Sequence, residues 1–486
     1  MSNKVIDPGL HKRLSGSLGV PAIVFMVVAA AAPLTVIAGV VPIGMLVGNG
    51  AGFAAMFGVA AVILLFFAVG FTAMTRSVPK AGAFFTYIAY GLGRPAGLAA
   101  AYLALLCYMS VEVGVFGYIG ASTRDGIVRI DGPEIPWWLL SFVMIAAVGV
   151  VGFRHIDLSL RVLAVLLVLE ISVVLLMSLV VVVKGGASGL SLKPFEPDVV
   201  TSGSPALGLM FAVAGFIGFE ATAIFRDEAR DPGRTIARAT YIAVILIGAF
   251  YLFASWALVM AWGPDDVLEE VAKNPAGFVL TTAQEQLGVA GEVAVNVLLI
   301  TSVFAAALSF HNIIARYVQT LAAAEILPEP LGVVHGRHRA PSAASLATTA
   351  VATALLLGCL AFGLDPYLEI FGWFVGLAAL AVIILMAATC LAVIVYFRRK
   401  GGEPAWSGVV APLVGLAGLG TAAVVTIKNF PLLVGDVDSK GNPVFGSIAL
   451  SLLAAIVVVV VIGYVQGRVL RARGSRSYDQ IIDAIT

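Results

Sequence analysis

"AGFIGFEATAIFRDEARDPGRT", Ala214 to Thr235, decides how the chain is read. It closes an apolar run long enough to cross a bilayer, yet it holds Gly215, Gly218 and the carboxylate Glu220. A burst of charges follows, and then Asp-Pro-Gly turns the chain. A carboxylate at membrane depth costs about 3 kcal/mol or more unless it is protonated, paired or hydrated. Irregular backbone survives there only where protein buries it or where it lines a cavity. The stretch therefore reads as a membrane helix opened on purpose.

The composition agrees. The chain has 486 residues, of which 60% are hydrophobic and 12% charged. Soluble domains carry about 25% charged residues, and the mean hydropathy here is +1.03. A formal net charge of +1 gives no basic footprint for nucleic acid. Cys107, Cys359 and Cys390 lie singly in apolar runs and read as packing residues. The polar start, "MSNKVIDPGLHKRLSGS", lacks the apolar core of a signal peptide and reads as a cytoplasmic arm.

About 20 apolar residues cross a core of about 30 Å. That rule predicts about twelve spans, near 20–44, 52–74, 97–121, 136–153, 159–183, 205–225, 237–262, 288–320, 342–363, 366–396, 408–428 and 446–467. With the N-terminus inside, most Lys and Arg fall in the cytoplasmic segments, including Arg76, Arg94, Arg154, Arg226, Arg316, Arg398 and Arg468. An even number of spans keeps that asymmetry, so both termini are expected in the cytoplasm of a multi-pass cell-membrane protein.

The first span is interrupted as well, in "VVAAAAPLTVIAGVVP". Pro33 has no N–H and crowds the preceding turn, so Ala30 to Thr35 is expected to be unwound. Two breaks five spans apart point to an inverted repeat with a site at the midplane. Half-helix N-termini there suit a carboxylate, and free carbonyls suit an ammonium or a cation. Two further glutamates, Glu112 and Glu170, lie deep in the third and fifth spans. With Glu220 they suggest a polar interior that favours cations or protons.

Four stretches together resemble the amino acid–polyamine–organocation (APC) superfamily. They are "GFIGFEATAIFRDEARDPGRTIARA", "SVPKAGAFFTYIAYGLGRPAG", "FHNIIARYVQTLAAAEILPEPLGVVHGRHRAPSAA" and "FGWFVGLAALAVIILMAATCLAVIVYFRR". The resemblance runs from Leu18 to about Lys400. It implies an all-α fold of two inverted five-helix repeats, 20–184 and 205–396, plus two C-terminal helices in 408–467. The arm 1–19 and the tail 468–486 would flank them in the cytoplasm.

The resemblance also implies proton- or sodium-coupled uptake or exchange of amino acids or amines. The substrate carboxylate would meet backbone at Ala32, Pro33, Leu34 and Thr35, and its amine carbonyls at Ala29, Phe216 and Gly218. Phe216 and Phe219 are candidates to line or gate the pocket, and Glu220 reads as a proton or charge sensor. Three departures stand out. "AAAPLT" replaces the glycine-serine-glycine-like stretch of many relatives. Glu170 falls where many carry a lysine, and there it could hold the coupling proton, bind sodium or neutralise a cationic substrate. Glu112, a further candidate substrate contact that would favour a cationic substrate, lies on a helix that borders the pocket in this fold, where many relatives are neutral.

Other motifs carry less. "GLGRPAG" follows no strand, so it is no dinucleotide loop. His335 and His338 have metal spacing but no further ligands, so no metal site is expected. His311 reads as a structural hydrogen bonder or a proton relay. There is no His-Glu-x-x-His, nucleophile elbow or Walker loop, which argues against an enzyme. The expected activity is a proton-coupled permease that moves a small amine-bearing solute, an amino acid, across the cytoplasmic membrane by alternating access, needing no cofactor beyond a coupling H+ or Na+, with lipids around it. A polyamine carrier is the alternative within transport, and a sensor or channel of the same fold is the alternative outside it. Nothing in the sequence sets an oligomeric state.

Overall fold

A computed structural model of the chain describes residues 18–78, 84–154, 160–333 and 341–474, together with Tyr478. The start up to residue 17, Lys80, His335 and His338, and most of the tail lie outside the described residues. Among the described residues the architecture is helical, with two isolated bridges and no longer strand.

Among the described residues eleven stretches are long and apolar enough to cross a membrane, and the first, Val20–Ser77, has 58 residues. Such a helix would be about 87 Å long, nearly three times the bilayer core of about 30 Å. It turns back on itself instead. Gly48 leaves helical geometry (φ −98°, ψ −120°) and Gly50 takes φ 58°, which glycine adopts without a Cβ clash. The fold-back brings the two ends of the stretch together. Leu18 pairs with Ala229, and the Arg226 guanidinium donates to the Val78 carbonyl. Among the described residues the stretch thus supplies two segments of membrane-crossing length, which brings the eleven to the twelve that the hydropathy marks.

The remaining ten are Arg94–Arg129, Trp137–Arg154, Leu160–Lys184, Pro205–Ala223, Pro232–Trp262, Phe278–Ala323, Ser342–Ala361, Pro366–Lys400, Trp406–Leu433 and Ser447–Ala472. They are the third to twelfth spans. The third and eighth run well past the expected limits, at 36 and 46 residues. A kink at Gly288 (φ 75°) separates an arm, residues 278–287, from the rest of the eighth span. The third span is central, with 78% of its most apolar window buried, whereas the twelfth is peripheral at 17%. Its exposed Val457, Val458, Val461 and Ile462 suit lipid contact.

One end of the bundle is rich in arginine and is tied across spans. Arg76 meets Glu403 at 2.7 Å, Arg399 donates to the Gly91 carbonyl, and Lys400 donates to that of Ser77. At the opposite end Arg129 joins Asp125 at 2.6 Å and Glu292 at 2.9 Å, locking the third span to the eighth.

Candidate functional site

The first span is helical from Val20 to Ala30 and breaks at Ala31 and Ala32. Ala32 takes φ 44° and ψ 69°, a left-handed conformation that costs an L-residue about 1–2 kcal/mol. The break is shorter than the expected Ala30 to Thr35. Pro33 occupies the first position of a new helical turn, where its missing N–H is no loss, so Leu34 and Thr35 are helical. The Ala29 carbonyl accepts from the Ala32 N–H, and the Ala31 carbonyl accepts from the Tyr251 hydroxyl at 3.3 Å. Beyond the break, Val36–Val40 is wound as a π-helix. There the Gly39 carbonyl accepts from the Tyr367 hydroxyl at 2.7 Å.

Beside the break runs a directed chain of hydrogen bonds. Thr35 Oγ1 donates to Ser302 Oγ at 3.0 Å, and Ser302 donates to Glu170 Oε2 at 2.8 Å. The Leu34 N–H is directed to the same carboxylate. A cavity of about 30 Å³ opens here. It is lined by Ala29 and Ala32 of the first span, Leu166, Leu167 and Glu170 of the fifth, and Ser302 and Ala305 of the eighth. A water needs about 10–15 Å³ by this measure. The cavity thus suits an ion or a water or two, and an amino acid would need the walls to move apart.

The sixth span is an α-helix over Pro205–Ala214, then turns through Gly215 to Gly218 and continues as a 3₁₀-helix, Phe219–Glu228. Gly218 sits at φ 109° within reach of the Ala30 carbonyl, so the two breaks face each other. Glu220 answers the question raised by its place in an apolar run. Its Oε2 accepts from the Gly218 N–H at 2.8 Å, and its Oε1 accepts from the Tyr108 hydroxyl at 3.0 Å. The carboxylate thereby satisfies a donor that the break releases. Tyr317 hydrogen-bonds to Tyr108 and stands edge-on to Phe85, extending the cluster toward the arginine-rich end.

Of the residues expected at the site, Ala29, Ala32 and Glu170 line the small cavity and Thr35 reaches its wall through Ser302, whereas Pro33 and Leu34 are outside the lining. Gly218 lies against Ala30, with Glu220 on its N–H, also outside the lining. Phe216 packs on Phe57 and Tyr251, and Phe219 packs on Phe67. Both phenylalanines sit in the packed interior, away from the cavity lining. Glu112 is not brought to the cavity. It is held by His311, Oε1 to Nδ1 at 2.8 Å, in a separate polar island. Three contributors were not singled out from the sequence: Ser302, Tyr251 and Tyr108. Their signal is a lone polar group in an apolar span, as in "LLITSVFAAA" and "IGAFYLFAS". Among the described residues no three His, Cys, Asp or Glu converge as metal ligands would.

Comparison with known proteins adds an independent line. The profile of the family described as amino acid permease matches residues 18–465. The low-affinity putrescine importer PlaP of Escherichia coli is 23% identical over 292 residues, covering 58% of this chain and 62% of that protein. The branched-chain amino acid permease BcaP of Bacillus subtilis is 26% identical over 314 residues, covering 61% of this chain and 65% of its own. These matches span under two thirds of either relative. Among solved structures, a manganese transporter of Eremococcus coleocola crystallised with an aromatic bis-isothiourea compound superposes with a TM-score of 0.56. It covers 98% of this chain and 99% of its own at 12% identity, a likeness of fold alone.

Proposed function

This chain belongs to the amino acid permease family, and on that premise we propose that it is a secondary transporter carrying an amino acid or related amine across the cell membrane. The arginine-rich end faces the cytoplasm with both termini. The two breaks, with the cavity that the first shares with the fifth and eighth spans, form the gate, which opens alternately to either side.

One observation carries the coupling part of the proposal. The chain Thr35, Ser302, Glu170 has every donor aimed at the carboxylate, the arrangement that suits its charged form. A proton on Glu170 removes one acceptor site and supplies a donor. With the proton on Oε2, Ser302 accepts from the carboxyl and re-aims its own hydroxyl, while its second lone pair still accepts from Thr35. Protonation in the fifth span thereby rearranges the hydrogen bonds beside the first-span break, which links proton uptake to movement of the gate.

The test is uptake into proteoliposomes with labelled leucine and labelled putrescine, under an imposed pH gradient or sodium gradient. Accumulation driven by a pH gradient, and lost in Glu170→Gln, is the expected result. Accumulation driven by sodium alone would replace the proton with sodium at the same carboxylate. A polyamine carrier is the second reading, favoured because Glu170 is the one charged residue lining the cavity. Uptake of putrescine without leucine selects it. If neither solute moves, transport of this substrate class is wrong.

A further inference from the structure

The eighth span carries two polar chains, on opposite faces. Ser302 faces the first and fifth spans, and His311 faces the third and ninth. Nine residues separate them, which on an α-helix is half a revolution and about 13 Å along the axis. The second chain therefore lies outside the cavity, and the reading given above leaves it without a role.

Its members are buried. Glu112, His311 and Ser345 are each exposed by 1% or less. Glu112 Oε1 is 2.8 Å from His311 Nδ1, and His311 Nε2 is 2.8 Å from Ser345 Oγ. The second carboxylate oxygen, Oε2, is buried and has no hydrogen-bond partner. Gly152 backs directly onto the imidazole, where a Cβ would come within 2.7 Å of Cδ2, so the ring packs closely against the fourth span. Ser345 stands one turn inside the start of the ninth span, and there Ser342 donates to the carbonyl of the half-exposed Phe153. The chain thus runs from the middle of the third span toward the arginine-rich surface.

We propose that Glu112, His311 and Ser345 form a second proton-binding site, separate from Glu170, which exchanges its proton with the arginine-rich end of the molecule. The hydrogen-bond inventory supports it. A neutral imidazole donates from Nδ1 to Glu112 and accepts at Nε2 from the Ser345 hydroxyl. A protonated imidazole donates from both nitrogens, and Ser345 need only rotate its hydroxyl to accept. Both states satisfy His311 with no movement of heavy atoms. The added proton also offsets the buried carboxylate, whose bare charge is costly in a dry interior.

Among the described residues few other titratable groups face the pair. On the third span Tyr108 and Cys107 lie about a turn away, with Tyr108 committed to Glu220 and Cys107 donating to the Ala378 carbonyl. On the eighth, Tyr317 faces Tyr108. The fourth has Arg154, exposed at its end, and the ninth has Cys359, near its far end. The tenth passes the pair with Phe374, Val375 and Ala378, none of them titratable.

The first test does not depend on transport, although a coupling role for this site rests on the transporter reading. Infrared difference spectra of the purified chain in lipid would be recorded between about pH 5 and about pH 8, the range in which histidine changes charge. An imidazolium band should appear on acidification together with a shift of the Glu112 carboxylate bands, because the one added proton sits on His311 and the carboxylate stays charged. Both should vanish in Glu112→Gln, which keeps an acceptor for His311, and both should persist in Glu170→Gln. Ser345→Ala preserves the pair but removes the rotating hydroxyl, so the bands should shift by about one pH unit. Bands unaltered by both Glu112→Gln and Ser345→Ala would overturn the proposal, and Ser345→Ala decides it should Glu112→Gln not fold.

The second test is uptake of labelled leucine or putrescine at varied internal pH. Glu112→Gln should keep solute exchange and lose the dependence on internal pH. An unchanged internal-pH profile would refute the coupling role. If wild type moves neither solute, the transporter reading fails while the infrared result still decides the site.

Discussion

The two broken spans solve one problem in opposite ways. The first breaks at alanines before a proline, carries no charge of its own, and takes its polar partners from the fifth, seventh and eighth spans. The sixth breaks at glycines and carries its own carboxylate, which caps the N–H that the break sets free. A break stabilised from outside is sensitive to its neighbours' protonation. A break that caps itself is sensitive chiefly to its own residues. On the proposed function, the first is the break that switches and the second the one that holds its shape.

Substitutions can break that contrast or sharpen it. Glu220→Ala should have the largest effect, because it leaves the Gly218 N–H and the Tyr108 hydroxyl buried without an acceptor. We expect a loss of about 3 kcal/mol, seen as a lower melting temperature in detergent together with lost uptake. Gly218→Ala forces a Cβ into φ 109° and should cost about 2 kcal/mol in the same assay. Glu170→Gln should leave the melting temperature near wild type and lower gradient-driven uptake at least tenfold, about 1.4 kcal/mol. If it instead melts like Glu220→Ala, the two breaks are alike after all. Ala32→Gly, the smallest, relieves the left-handed alanine at φ 44° and should raise the melting temperature by the equivalent of about 1 kcal/mol. A drop there would mean that the alanine methyl is needed for packing in the cavity wall.

Much of this was legible along the chain. Length and hydropathy mark the twelve crossings, because a bilayer imposes one length on every helix. Pro33 and Gly218 mark the breaks, because their backbone limits are local. The partners of the carboxylates were not legible. Thr35 and Ser302 are 267 residues apart, Ser302 and Glu170 are 132 apart, and Glu112 and His311 are 199 apart. Glu112 and His311 each stood out singly, but only the packing of the third span on the eighth makes them a pair. The extent of the first break was also misread. Pro33 looks the same from sequence whether it interrupts a helix or begins one, and here it begins one.

The 3₁₀ winding of Phe219–Glu228 has a mechanical side. Ten residues so wound rise about 2.0 Å each, against about 1.5 Å in an α-helix. Rewinding the segment would shorten it by about 5 Å. Ala229, paired with Leu18 at its far end, would be drawn inward by that amount, and the foot of the first span with it. In the proposed transport cycle such a rewinding would join the sixth-span break to the surface, with a travel set by the pitch.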